Sequence, residues 1–252
     1  MTGTHTALDH IFLVLITLIW PLVDWRWYFP RSVSAIAAGV SGARARMYRN
    51  IVLPEWGFTA CIVTLWVYRG RSWAALLLGP STPLRLGMGF ALVAIVFGLL
   101  WRQRRAILAR PATLAVVRRQ LASSDALIPR TTGERRGAIL VSMTAGICEE
   151  FLFRGFVMWY FKVLFPGAWS GIILAVGVSS LLFGFAHIYL GVRQVWVSAA
   201  VGAAAALLVL AAGSLWPAII LHAAQDLYSF DLGYRALSGS AQGSEPPVPA
   251  KS

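Results

Sequence analysis

Apolar residues run along this chain in long blocks rather than in the short alternations that mark strands. Seven blocks approach the roughly 20 residues a helix needs to cross a bilayer core. They are Leu8–Val23, Ile51–Tyr68, Leu84–Trp101, Gly137–Phe161, Ala168–His187, Val192–Ala212 and Leu215–Phe230. The first is the shortest in its apolar core, Ile11–Val23, and Asp24 follows it. No positive segment precedes it and no A-x-A site follows, so it reads as a helix and not as a signal peptide. Trp20, Trp101, Trp159, Tyr160, Trp169 and Trp216 sit near block ends, as an interfacial belt places them. The pattern predicts an all-α fold, a polytopic membrane helix bundle of about seven transmembrane helices. It divides into N-terminal helices and basic loops over 1–136, a core over 137–236, and a Ser/Gly/Pro-rich tail over 237–252 expected to be disordered.

Composition narrows the class. The chain is 58% hydrophobic and 13% charged, against about 25% charged in a soluble domain. A soluble enzyme, a disordered regulator and a coiled coil are excluded. The net charge of +12 comes from 22 Lys+Arg against 10 Asp+Glu. With the N-terminus outside, the segments 24–50, 102–136, 188–191 and the tail carry sixteen Lys+Arg, and the opposite side carries three. That bias predicts N-out, C-in, with the basic side cytoplasmic, as in a bacterial inner (plasma) membrane. Within 102–136, Leu114, Val117 and Leu121 recur at helical spacing beside Arg118 and Arg119. The segment reads either as an amphipathic helix on anionic lipid or as a solvated basic loop. Nothing suggests a nucleotide or nucleic-acid site. Cys61 and Cys148 form no metal or disulfide pattern, and Cys148 reads as a small apolar filler. His5 and His10 read as interfacial and inert.

The informative residues are the ionisable ones in the later blocks. The fourth holds Glu149, Glu150 and Arg154, the fifth ends at His187, and the seventh holds His222 and Asp226. A charged side chain at mid-membrane costs roughly 2.5–3.5 kcal/mol on insertion scales, so these groups must face one another or a polar cavity. Ser142, Ala145, Gly146 and Glu149 share one helix face, as do Ser180, Gly184 and His187, and Ala218, His222, Asp226 and Ser229. Small residues let membrane helices approach closely, so Glu149, His187, His222 and Asp226 are expected to converge in the cytoplasmic half of the bilayer. Glu150 lies about 100° round the helix and is expected to point elsewhere, in reach of Arg154 four residues on. Phe183 reads as packing that walls the site.

Three motifs appear in order: EExxxR at Glu149–Arg154, FxxxH at Phe183–His187 and HxxxD at His222–Asp226. Over about Gly137–Asp231 the set resembles the CAAX-protease and bacteriocin-processing (CPBP) family of intramembrane proteases, which includes CAAX prenyl protease 2-like enzymes. The resemblance implies peptide-bond hydrolysis at a membrane-embedded site. Glu149 would activate water with His187, Glu150 and Arg154 would be the supporting pair, and His222 and Asp226 would complete the site. Many members carry Asn where this chain has Asp226. An ionised Asp accepts hydrogen bonds but does not donate them. Either Asp226 orients His222, or His187, His222, Asp226 and Glu149 ligate a divalent metal such as Zn²⁺. Members of the family are described both as metalloproteases and as glutamate-dependent enzymes. The expected partners are a membrane-embedded or lipid-anchored peptide or protein substrate and an anionic lipid surface, with no nucleic acid. Two other functions fit intramembrane charges: an ion or small-molecule transporter, and a catalytically silent scaffold or immunity protein. No inverted repeat favours transport.

Overall fold

The computed structural model describes residues 4–167 and 169–238. It is all-α, 86% helical, and has no strand among the described residues. Eight helices follow one another. They are α1 (Ala7–Ala37), α2 (Ala43–Tyr68), α3 (Pro83–Leu108), α4 (Pro111–Gln120), α5, α6 (Ser170–Ala186), α7 (Val192–Ala212) and α8 (Trp216–Ser238). Helix α5 is continuous through Thr132–Glu149, a π-helical stretch Glu150–Val157, and Met158–Leu164. The tail beyond Ser238 and Ala168, where the fifth block was placed to begin, lie outside the described residues.

Four helices, α1, α2, α3 and α7, are long and apolar enough to cross a membrane, and α6 is a shorter apolar helix. Large apolar side chains stand exposed on their outer faces, among them Leu84, Ile95 and Leu99 of α3 and Ile173 of α6. Such surface belongs against lipid and not water. The segment 24–50, expected as a loop, is mostly helical, because α1 runs on to Ala37. Pro21 and Pro30 lack the N–H that an α-helix would use. Two π-helical stretches, Leu15–Ile19 and Asp24–Tyr28, precede them and absorb the irregularity. The start of α1 is also fixed. Thr6 and Asp9 form a capping box, and Arg71 grips Asp9 through two 2.7 Å bonds. His5 and His10 have partners too. His5 stacks on Tyr160 at 4.1 Å, and His10 Nδ1 lies 2.5 Å from the Tyr160 hydroxyl.

Helix α5 is the centre, packed on α2 and α8, while α6 packs along α7. Its start is capped by Thr131 and Glu134, and Arg44 of α2 bonds Glu134 at 3.1 Å. All eight residues of its π-helical stretch are buried, and Phe151, Phe153, Phe156 and Val157 join Trp66, Ile62 and Leu76 in the largest apolar cluster. A Cβ on Gly146 would lie 2.7 Å from that of Ala223 and 2.8 Å from its backbone nitrogen. Only glycine permits α5 and α8 to approach so closely. The small-residue face of α6 packs differently: Gly184 meets Ala199 of α7.

The basic end of α8 is clamped. Asp231 receives Arg104 of α3 at 2.6 Å and Arg235 of its own helix at 3.0 Å, and Arg135 of α5 lies 3.5 Å away. Burial acts to raise the Asp231 carboxyl, but the hydrogen bonds from Arg104 and Arg235 outweigh it and hold the group below the usual carboxylate range. A depressed folded value means that the clamp contributes fully above about pH 4, the unfolded aspartate value, and is lost as pH falls through the folded value. Asp231→Asn is therefore expected to lower the Tm of detergent-purified protein at pH 7. The gap between variant and wild type should close as pH drops below about 4. An equal gap at both pH values would contradict the clamp.

Candidate active site

Helix α5 delivers three of the motif residues at the point where it changes from α to π geometry. Glu150 Oε1 lies 3.1 Å from Arg154 Nη1, and the two side chains are 0% and 1% exposed. The Arg154 guanidinium also lies over the Phe183 ring, 4.0 Å from its centroid. The predicted supporting pair is thus a fully buried ion pair with an aromatic floor. Phe183 does more than fill space. Its ring also packs against His187 at 4.8 Å and His222 at 6.0 Å between centroids.

One expectation needs correction. Glu150 does not point away from the convergence. Its Oε1 also accepts a 2.8 Å hydrogen bond from His222 Nδ1. The close approach at Gly146 brings α8 within reach of both glutamates, and the π-helical turn that begins at Glu150 departs from the ordinary 3.6-residue spacing.

The bond to Glu150 fixes His222 so that Nε2 faces the other carboxylates. Nε2 lies 3.8 Å from Glu149 Oε2 and 4.0 Å from Asp226 Oδ2. These gaps are too long for direct hydrogen bonds. Glu149 Oε2 accepts no hydrogen bond from a described residue. The side chains of Glu149, His222 and Asp226 keep 17%, 16% and 33% exposure, whereas Glu150 keeps none. Glu149 is therefore open to a reactant and Glu150 is not.

His187 ends α6, and its Nδ1 donates to the Phe183 carbonyl at 2.9 Å. That bond sets the tautomer and leaves Nε2 as the free acceptor in the neutral ring. His187 and Glu149 line the same cavity, of about 610 Å³, but no direct hydrogen bond or ion pair joins them. The group within 4.0 Å of Glu149 is His222.

The cavity also holds residues that the sequence reading passed over: Glu55 of α2, Asp24 of α1, and Tyr189 of the 3₁₀ turn Ile188–Leu190. Glu55 was legible. It lies inside the second apolar block, as Glu149 lies inside the fourth, and its Oε2 is buried without a hydrogen-bond partner. The neighbouring Trp56 donates its indole N–H to Thr144 of α5 at 3.0 Å, which holds α2 against the site. Tyr189 carried no signal, since a tyrosine in a short turn is unremarkable in sequence.

The proposed metal ligands were tested by their geometry. Among the described residues, no three His, Cys, Asp or Glu side chains are grouped so as to hold an ion. His222 Nδ1 donates to Glu150, which leaves Nε2 as the nitrogen free to act as a ligand, and His187 is not within ion-pair distance of Glu149. No step proposed for the site passes through a metal.

Comparison with known families agrees with the motif reading. The family model described as type II CAAX prenyl endopeptidase, Rce1-like, matches residues 135–228. No curated protein and no solved structure matches the chain.

Removing one partner of a buried ion pair leaves the other charge uncompensated, at a cost of about 3–5 kcal/mol. Arg154→Met is expected to destabilise the protein by that amount in thermal or denaturant unfolding. A loss under about 1 kcal/mol would show that Glu150 does not depend on Arg154.

Proposed function

We propose that this chain, whose residues 135–228 are a type II CAAX prenyl endopeptidase Rce1-like domain, is an intramembrane endopeptidase that uses Glu149 to activate water. The observation that carries the reading is the division between two adjacent glutamates. Glu150 Oε1 is held by Arg154 and His222 in a side chain with no exposure, whereas Glu149 keeps 17% exposure and has no ion-pair partner nearer than 3.8 Å. A carboxylate in that state is available as a general base.

In the proposed reaction, water lies between Glu149 and His222. Glu149 takes one proton as the water oxygen bonds to the scissile carbonyl carbon. His187, with its free Nε2 on the same cavity, assists in placing the water. The tetrahedral intermediate then collapses, the C–N bond breaks, and Glu149 returns the proton to the leaving nitrogen. Glu150 and Arg154 act through His222, whose ring they orient. Asp226, four residues further along α8, lies 4.0 Å from His222 Nε2.

The family acts on membrane-associated peptide or protein substrates, and the cavity opens within a bundle whose outer faces are apolar. We assign a membrane-embedded or lipid-anchored substrate, an N-out, C-in orientation and a site in the cytoplasmic half, supported by the arginine bias. Helix α4 carries the predicted amphipathic segment, and Arg118 is turned inward to the Ala236 carbonyl. Its outward Arg110 and Arg119 remain for anionic lipid.

The test compares the termini of membrane proteins by mass spectrometry in the native host expressing wild type or Glu149→Gln. Wild type should produce shortened termini, and the variant should produce them at least about 10²-fold more slowly. Identical termini in both strains would overturn the protease reading. Because the proposed reaction passes through no metal, a strong chelator should leave the rate in isolated membranes unchanged. A loss reversed by Zn²⁺ would instead assign a cation to the site.

A further inference from the structure

When water adds to a scissile carbonyl, the carbonyl oxygen gains negative charge, and a preorganised donor there is worth a large factor in rate. The cavity is rich in carboxylates. Its carboxylates, Glu149, Asp226, Glu55 and Asp24, cannot donate when ionised. Arg154 is 1% exposed, paired with Glu150 and set over the Phe183 ring, and although its Nη atoms carry no hydrogen bond among the described residues they are buried. The Ser32 and Ser229 hydroxyls donate back to carbonyls of their own helices, and the Gln194 amide donates to Ser198.

Tyr189 is different. Its ring lies close to parallel with that of His187, 25° between planes and 6.1 Å between centroids, and packs on Phe29 at 4.8 Å. The turn that carries it closes at Gly191, whose φ of +97° suits glycine and few other residues. The ring is thus held on two sides and at its backbone. Its hydroxyl makes no hydrogen bond to any described residue, and Tyr189 lines the same cavity as Glu149, Asp226, Glu55 and Asp24. Asn50 and Gln225 also bring amides to the cavity, but neither is stacked on the site histidine.

We propose that Tyr189 is a further catalytic residue, whose phenolic O–H donates a hydrogen bond to the oxyanion formed at Glu149. The proposal rests on the protease reading above. No proton leaves Tyr189. The O–H bond is retained, and the proton from water travels by way of Glu149 to the leaving nitrogen. A neutral donor meets the oxyanion without adding a charge that the carboxylates would capture.

Tyr189→Phe removes the hydroxyl and keeps the ring contacts to His187 and Phe29. The probe is the set of membrane-protein termini that form with wild type and not with Glu149→Gln, followed over time in isolated membranes. Tyr189→Phe is expected to slow their formation by about 10²-fold, the cost of removing one oxyanion donor, with the Tm of the purified protein unchanged. A rate within about threefold of wild type, against that expected loss, would overturn the role of Tyr189 and leave the protease reading standing. So would a loss that follows a lowered Tm. If no terminus depends on Glu149, the protease reading itself fails, and this assignment with it.

Discussion

The site depends on one buried ion pair. Glu150 and Arg154 are both sealed from solvent, at a depth where an isolated charge is costly. Each charge is compensated only by the other and by its neighbours. Arg154 rests on Glu150 and the Phe183 ring, and Glu150 is shared between Arg154 and His222. This unit ties α5 to α6 and α8 and fixes the ring of His222. Everything reactive is arranged around it. Buried ion pairs stabilise a fold weakly, and their better-attested use is to specify one arrangement over others. That is the part the pair plays here.

The glutamates next to one another have opposite environments because the helix changes geometry between them. Glu149 ends the α-helical part of α5 and keeps 17% exposure, while Glu150 begins the π-helical part and keeps none. The contact of Gly146 with Ala223 sets how near α8 comes. The Asp231 clamp holds the far end of the same helix against α3 and α5. The positions of His222 and Asp226 therefore follow from a close contact at one end and a charged one at the other.

Much of this was legible in the sequence. Long apolar blocks gave the helical bundle, and ionisable residues within them gave Glu149, Glu150, Arg154, His222 and Asp226. The ion pair followed from the i, i+4 spacing of Glu150 and Arg154. Three things were not legible, each for a physical reason. The bond from His222 to Glu150 depends on a π-helical turn and an interhelical distance, which residue spacing on an ideal helix does not encode. Tyr189 reaches the cavity through a turn whose path is set by tertiary packing. The helical extension of α1 past its prolines uses π-turns that periodicity does not reveal. Glu55 was visible as an acid in an apolar block, and finding it needed the same test applied to the second block as to the fourth.

The central claim is that the Glu150–Arg154 pair holds His222 in place for Glu149, over and above its effect on stability. A double-mutant cycle in stability and cleavage rate, with Glu150→Leu, Arg154→Met and the two combined, separates the two effects. The account predicts that the double variant is more stable than either single variant, because no unpaired charge remains. It also predicts that the double variant still fails to cleave, because His222 Nδ1 has lost its acceptor. A double variant that is stable and cleaves at the wild-type rate would contradict it.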